Sequence, residues 1–175
     1  MHLFHYYEKE RGPFKNLSEL SIEESTNILN TLRQTNKTFT NLRSDYLECR
    51  KDFEQSARQL FILKGGKPKR LVPHYMVVEF CEWLNAWYFE CEYIKINVNE
   101  FDKDTISFTY GDLFPTFSVE DGKEYRKQVY TYSEILEIIK KYKLPQEWNP
   151  SGNPPTRYVE CQIWSDITLM KFYKK

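Results

Sequence analysis

The residues 157–164, Arg157-Tyr158-Val159-Glu160-Cys161-Gln162-Ile163-Trp164, set one carboxylate into an otherwise apolar and aromatic run. Alternation turns Val159, Cys161 and Ile163 one way and Tyr158, Glu160, Gln162 and Trp164 the other. A carboxylate between two large aromatics, just past a proline-rich loop, can line a cleft. The same pattern fits an antiparallel strand with one wet face, on which Glu160 is merely solvated. Two other stretches carry groups of the same kind. One is Leu3-Phe4-His5-Tyr6-Tyr7; the other is Ser107-Phe108-Thr109-Tyr110-Gly111-Asp112. The expectation is that His5, the 107–112 strand and Glu160 converge on one site. By residue type alone, His5 also fits a hydrogen-bonded core or surface histidine.

Several chemistries lack their residues. There is no G-x-S-x-G elbow, no H-E-x-x-H helix and no Rossmann glycine fingerprint. Cys161 paired with a distant histidine would be a thiol nucleophile, but it sits on the apolar side of its strand, where cysteine is usually inert. Cys49, Cys81, Cys91 and Cys161 form no C-x-x-C pair and no zinc-spaced cluster, so no metal is expected and the thiols read as reduced and mostly buried. Asp102 and Asp104 lie in a turn without the EF-hand pattern. The basic loop 64–70 lacks the Walker spacing and reads as a solvated turn. With 25 basic and 25 acidic residues the formal charge is zero, which gives no electrostatic footprint for nucleic acid or an anionic membrane. A nucleic-acid surface would have to use Lys64, Lys67, Lys69 and Arg70 locally.

The elements that must position these residues follow from periodicity. A first strand covers 3–7. Ser21 and Glu24 form a capping box that opens a helix to about Gln34, followed by a turn-like stretch at 35–38. Tyr46, Leu47, Arg50, Phe53, Ala57, Leu60 and Phe61 mark the buried stripe of a helix over 44–64, with Glu48, Lys51, Asp52, Glu54 and Arg58 on its solvated side. Strands are expected at 75–80, 93–98 and 105–110, with a short helical turn carrying Trp83 and Trp87 between the first two. Residues 114–117 read as extended and 120–123 as a turn with a hairpin signal. Thr131 and Glu134 cap a further helix with Ile135, Leu136, Ile138, Ile139 and Tyr142 inward, closed at Leu144-Pro145. The loop 144–155 reads as irregular, because each proline removes a donor and restrains its predecessor. A last edge strand is expected at 169–173, with Lys174-Lys175 guarding its end. This order predicts a single α+β domain over 1–175, a mixed or mainly antiparallel sheet with about three helices packed on it. No apolar run has signal-peptide or membrane-spanning length, so a cytoplasmic location is expected.

Most of the chain resembles a family of bacterial cytoplasmic proteins, through Tyr7-Glu8, Arg11-Gly12-Pro13-Phe14, Gly65-Gly66-Lys67-Pro68, Pro73-His74-Tyr75-Met76, the 107–112 run, 144–149 and Arg157-Tyr158-Val159-Glu160. That resemblance implies no activity. A more distant one is to ADP-ribosyltransferases, in particular their DNA-targeting toxins. Phe4-His5-Tyr6 is similar to that family's opening aromatic-His-Tyr strand, and Val159-Glu160-Cys161-Gln162-Ile163 to its late glutamate strand, with the proline-rich loop in the place of a target-recognition loop. It implies NAD as cofactor and an unknown macromolecular acceptor. Glu160, Tyr110 and His5 would be catalytic, and His5, Tyr75, Tyr110 and Tyr158 would bind the cofactor. The carboxylate would stabilise oxocarbenium character at the ribose and help deprotonate the acceptor, His5 would hold a ribose hydroxyl, and Tyr75 or Tyr110 would stack on nicotinamide. If the two ends of this set fall on opposite faces of the sheet, no such site exists.

The composition also supports a different class. Aromatics make up 17% of the chain, with 13 Tyr and 12 Phe. Trp83, Trp87 and Trp148 are the residue type that anchors interfaces, and Trp148 lies in a loop. A non-enzymatic module with an aromatic cleft for a small ligand or a protein partner is the alternative expectation.

Overall fold

The computed structural model describes residues 1–35 and 43–172. The alternating segments form five strands, β1 (His2–Glu8), β2 (His74–Val78), β3 (Cys91–Asn97), β4 (Ile106–Tyr110) and β5 (Val159–Ile163). They make one sheet in the order β3-β1-β2-β5-β4, and every pairing is antiparallel. The fold class is α+β, with the helices segregated from the sheet.

Register decides which side chains share a face. Leu3 pairs with Val78, Val77 with Glu160, and Tyr110 with Val159. The pleat therefore gathers Leu3, Met76, Val78, Phe108, Tyr110, Val159, Cys161 and Ile163 on a first face, and Phe4, Tyr75, Val77, Thr109, Glu160 and Gln162 on a second. The first face packs on helix α5 (Tyr132–Tyr142), whose Ile135 is fully buried. The second is covered by α2 (Tyr46–Leu63), α3 (Glu82–Trp87) and α4 (Leu113–Ser118). Helix α1 (Ile22–Thr35) lies against α2. Both expected capping boxes form: the Ser21 backbone N–H donates to Glu24 at 3.0 Å and that of Thr131 to Glu134 at 2.8 Å. Among the described residues no helix is long and apolar enough to cross a membrane.

Four expectations are corrected. Residues 114–117 are not extended but lie in α4. Pro115 is its third residue, where the missing N–H breaks no intrahelical bond. The loop after Leu144 opens with a one-turn helix, α6 (Pro145–Trp148), because proline at the first helical position is pre-set for it. Leu169–Lys171 is a 3-10 turn rather than an edge strand. The outer edge of β4 is instead taken by Tyr130, which exchanges backbone hydrogen bonds of 2.9 and 2.8 Å with Phe108. Glu54 is buried, not solvated. It accepts from the Tyr75 hydroxyl at 2.5 Å and the Ser18 hydroxyl at 2.8 Å, and pairs with Arg50 at 3.1 Å. The turn expected at 35–38 and the last lysines lie outside the described residues, apart from the backbone of Thr35, which ends α1.

Candidate functional site

Glu160 stands near the middle of β5, flanked by strands on both sides and roofed by helices. It is 7% exposed, so it does not sit on a wet face. Its Oε1 accepts from the Leu113 backbone N–H at 3.2 Å and from Gln162 Nε2 at 3.0 Å. Gln162 also donates to the Thr109 hydroxyl and accepts from that of Ser107, which accepts from Trp164 Nε1 at 2.8 Å. These bonds form a closed polar ladder within the second face, which is how buried polar groups are retained. Burial pushes the Glu160 carboxyl up to about 8, with the nearby Asp112 charge adding to it. Burial also raises Asp112, to about 6, against the pull of Arg157 at 3.4 Å. Of the two carboxyls, Glu160 therefore holds its proton to the higher pH.

Tyr75 and Tyr158 share this face with Glu160. The Tyr75 ring lies under Arg50, 5.0 Å from guanidinium carbon to centroid. Burial holds both phenols well above the usual tyrosine range.

His5 and Tyr110 are elsewhere. His5 falls on the first face, stacked on Phe14 at 4.2 Å between centroids. Its Nδ1 donates to the Tyr75 carbonyl at 2.8 Å, and its Nε2 accepts the Phe14 backbone N–H at 2.8 Å. A backbone N–H can only donate, so this pair of contacts selects the neutral Nδ1–H tautomer. The ring fills the opening where β1 and β2 part beyond Phe4. Both nitrogens are engaged, and burial lowers its pKa to about 4. Proton NMR should accordingly show His5 ring signals that do not titrate between about pH 5 and about pH 8; a midpoint near that of a free histidine would contradict the tautomer. Tyr110 is fully buried on the first face. Its hydroxyl donates to the Lys143 carbonyl at 2.7 Å and accepts from Trp148 Nε1 at 3.4 Å, and burial lifts it to about 12. The structure therefore brings Glu160, Tyr75 and Tyr158 together, and leaves His5 and Tyr110 on the other side of the sheet. The expected convergence of His5, Tyr110 and Glu160 does not occur, because the register pairs Glu160 with Thr109 rather than with Tyr110 and aligns it through Val77 with Phe4 rather than with His5.

Tyr110 belongs instead to a concave site of about 430 Å³ between α5, α6, the 121–126 segment and the proline-rich loop. Tyr110, Tyr125 and Tyr142 pack around one another, with centroids 4.8, 5.7 and 5.5 Å apart. Trp148, 52% exposed, forms the open wall. Arg126 has a side chain only 6% exposed. It grips Asp121 with two bonds of 3.1 and 2.8 Å and donates to the Thr156 hydroxyl at 3.0 Å. Its Nη1 has no hydrogen-bond partner among the described residues and lies 3.6 Å from where a Cβ on Gly111 would stand.

The loop side of the cleft is held in place. Asn149 Nδ2 donates to the carbonyls of Asn153 and Thr156 at 2.7 and 2.9 Å. Arg157 donates to the Gly152 carbonyl at 2.9 Å, pairs with Asp112, and lies over the Trp83 ring at 4.8 Å. A side chain at Gly152 would meet that ring at 2.2 Å, so glycine is needed for this close approach. Tyr125, Arg126 and Asp121 escaped the sequence reading because their segment has no periodicity. Tyr142 was legible only as an inward helix residue, and Trp148 only as a loop tryptophan.

Other candidate chemistry is absorbed by structure. Lys64 pairs with Glu134, Lys67 with Asp104, and Arg70 with Glu19 and Asp166. Cys161 is fully buried and its thiol is held well above the usual range. Among the described residues no group of three or more His, Cys, Asp or Glu is placed to hold a metal ion. In comparisons with known proteins, no family model, no curated protein and no solved structure matches this chain.

Proposed function

We propose that the protein is a binding module that takes a small molecule with a flat ring into the cleft beside Tyr142 and Trp148, floored by the buried Tyr110 and Tyr125. The observation that carries this reading is the pre-formed aromatic hollow itself. Its volume lies in the range of small-ligand sites, and its lining sets four aromatic rings among polar side chains, of which Arg126 and Asn149 are fixed by their own hydrogen bonds. A site held by its own hydrogen bonds loses little freedom when a ligand enters. Transfer of ADP-ribose from NAD to a macromolecular acceptor would have to draw on Glu160, Tyr75 and Tyr158 alone. Burial pushes the Glu160 carboxyl up to about 8, which disfavours the anion that an oxocarbenium-like transition state calls for. His5 has no free nitrogen for a ribose hydroxyl. The binding reading therefore stands first.

The test is a set of planar aromatic probes followed by NMR. Binding should shift the Trp148 indole and the 121–126 amides, and Trp148→Ala should weaken it by about tenfold or more, the worth of one stacked ring. Trp148→Phe should keep most of the affinity. Probes that bind without touching these signals, or that ignore the alanine variant, would place the function outside the cleft.

A further inference from the structure

We infer that the cleft selects planar aromatic ligands bearing one acidic group, a carboxylate or a phosphate monoester, set against Lys123 at its rim. This rests on the binding reading above and adds the ligand's charge to it.

The charges lining the cleft are Asp121, Lys123 and Arg126. Asp121 is consumed by the two-bond grip of Arg126. Lys123 gives its backbone N–H to Asp121 at 3.3 Å, and its side chain is exposed and forms no ion pair among the described residues. The three lining charges sum to one positive charge, on Lys123, while Glu147 acts on Tyr110 from α6 outside the lining. The rings point the same way. Electron-rich ring faces attract cations, yet those of Tyr125 and Tyr142 are already covered by the protein's own cations, Arg126 at 5.0 Å and Lys141 at 5.0 Å. A cationic ligand would find those faces taken and Lys123 repelling it. A neutral ring would leave Lys123 unused. An aromatic anion places its ring by the Trp148 indole, which no charged side chain among the described residues covers, and its acid by the ammonium group. The Asn149 side-chain amide does not compete for the acid. Asn149 spends its donors on the carbonyls of Asn153 and Thr156.

The experiment is calorimetry on the full chain with three probes that share a ring system: naphthalene-2-acetate, its neutral acetamide, and 2-naphthyl phosphate. An acidic probe should bind about tenfold tighter than the amide at low salt, an advantage that shrinks as salt rises to about 1 M and disappears in Lys123→Gln. Lys123 is exposed, so that variant folds as the parent does. Preference for the phosphate over the acetate would assign the acid to a phosphate ester, and the reverse to a carboxylate. If the amide binds as tightly as both acids, or if Lys123→Gln leaves the preference intact, the charge inference is overturned while the cleft reading survives. If none of the three binds, the cleft reading falls with it.

Discussion

Replacing Glu160 with glutamine will stabilise the protein at alkaline pH and flatten its dependence of stability on pH. The Glu160 carboxyl titrates at about 8 in the folded chain, against 4.5 for an unperturbed one. Between those values the native state holds a proton that the unfolded chain has released. Stability therefore falls as pH rises through this window and levels off above about 8. Asp112, raised from 3.8 to about 6, acts with the same sign over a lower window. Glutamine copies the protonated carboxyl: its carbonyl oxygen can still accept from Leu113 and Gln162, and nothing remains to ionise. Each tenfold change in proton affinity between the folded and unfolded chain is worth up to about 1.4 kcal/mol, and water entering the site trims the total. The variant should therefore gain about 3 kcal/mol over wild type between about pH 5 and about pH 9. Urea midpoints across that range measure it. Parallel curves for the two proteins would mean that Glu160 ionises as freely in the fold as in the unfolded chain.

The second large effect is at Arg126. Truncation to alanine will cost about 3 kcal/mol and abolish binding in the cleft. The guanidinium makes three hydrogen bonds, to Asp121 and Thr156, from a nearly sealed position, and it stacks on Tyr125. Without it, the Thr156 hydroxyl loses its donor, Asp121 keeps only the Lys123 backbone N–H, and one wall of the cleft is gone. The loss also reaches Asp112, whose carboxylate is partly held by the positive charge of Arg126, so its pKa will climb further. Lysine restores the charge but not the planar fork, and should recover less than half of the stability. Chemical denaturation with an unchanged slope reads the first part, and calorimetry with an aromatic probe reads the second. An alanine variant as stable as the parent and still binding would show that the Arg126 contacts carry little of either.

Local structure was written plainly along the chain. The capping residues Ser21 and Thr131, the α2 stripe and the alternating runs each yielded the expected element, because caps and periodicity depend on neighbours a few residues apart. Proline in a first turn misled twice: the run around Pro115 was read as extended and Pro145 as a breaker, although a helix start tolerates proline. Glu54 shows the same limit from the energetic side. Its charge marks a wet position in a local window, and burial becomes tolerable only when Tyr75 and Ser18, brought in from other parts of the chain, join Arg50 one turn away on the same helix.

The candidate site divides in the same way. By itself the sequence determined the α+β class, the strands that carry Glu160, Tyr110 and His5, and the loop that carries Trp148, since all of these follow from local pattern. Tertiary structure alone decided who meets whom. A strand's side chains alternate, so one residue of register moves a group to the opposite face; the pairing of Glu160 with Thr109 separated it from Tyr110, and the pairing of Val77 with both Phe4 and Glu160 separated it from His5. The cleft was decided there too. Its rings and charges come from positions 110, 121–126, 142 and 148–156, and no short-range pattern links residues that only the packing of α5, α6 and the proline-rich loop on the sheet brings together.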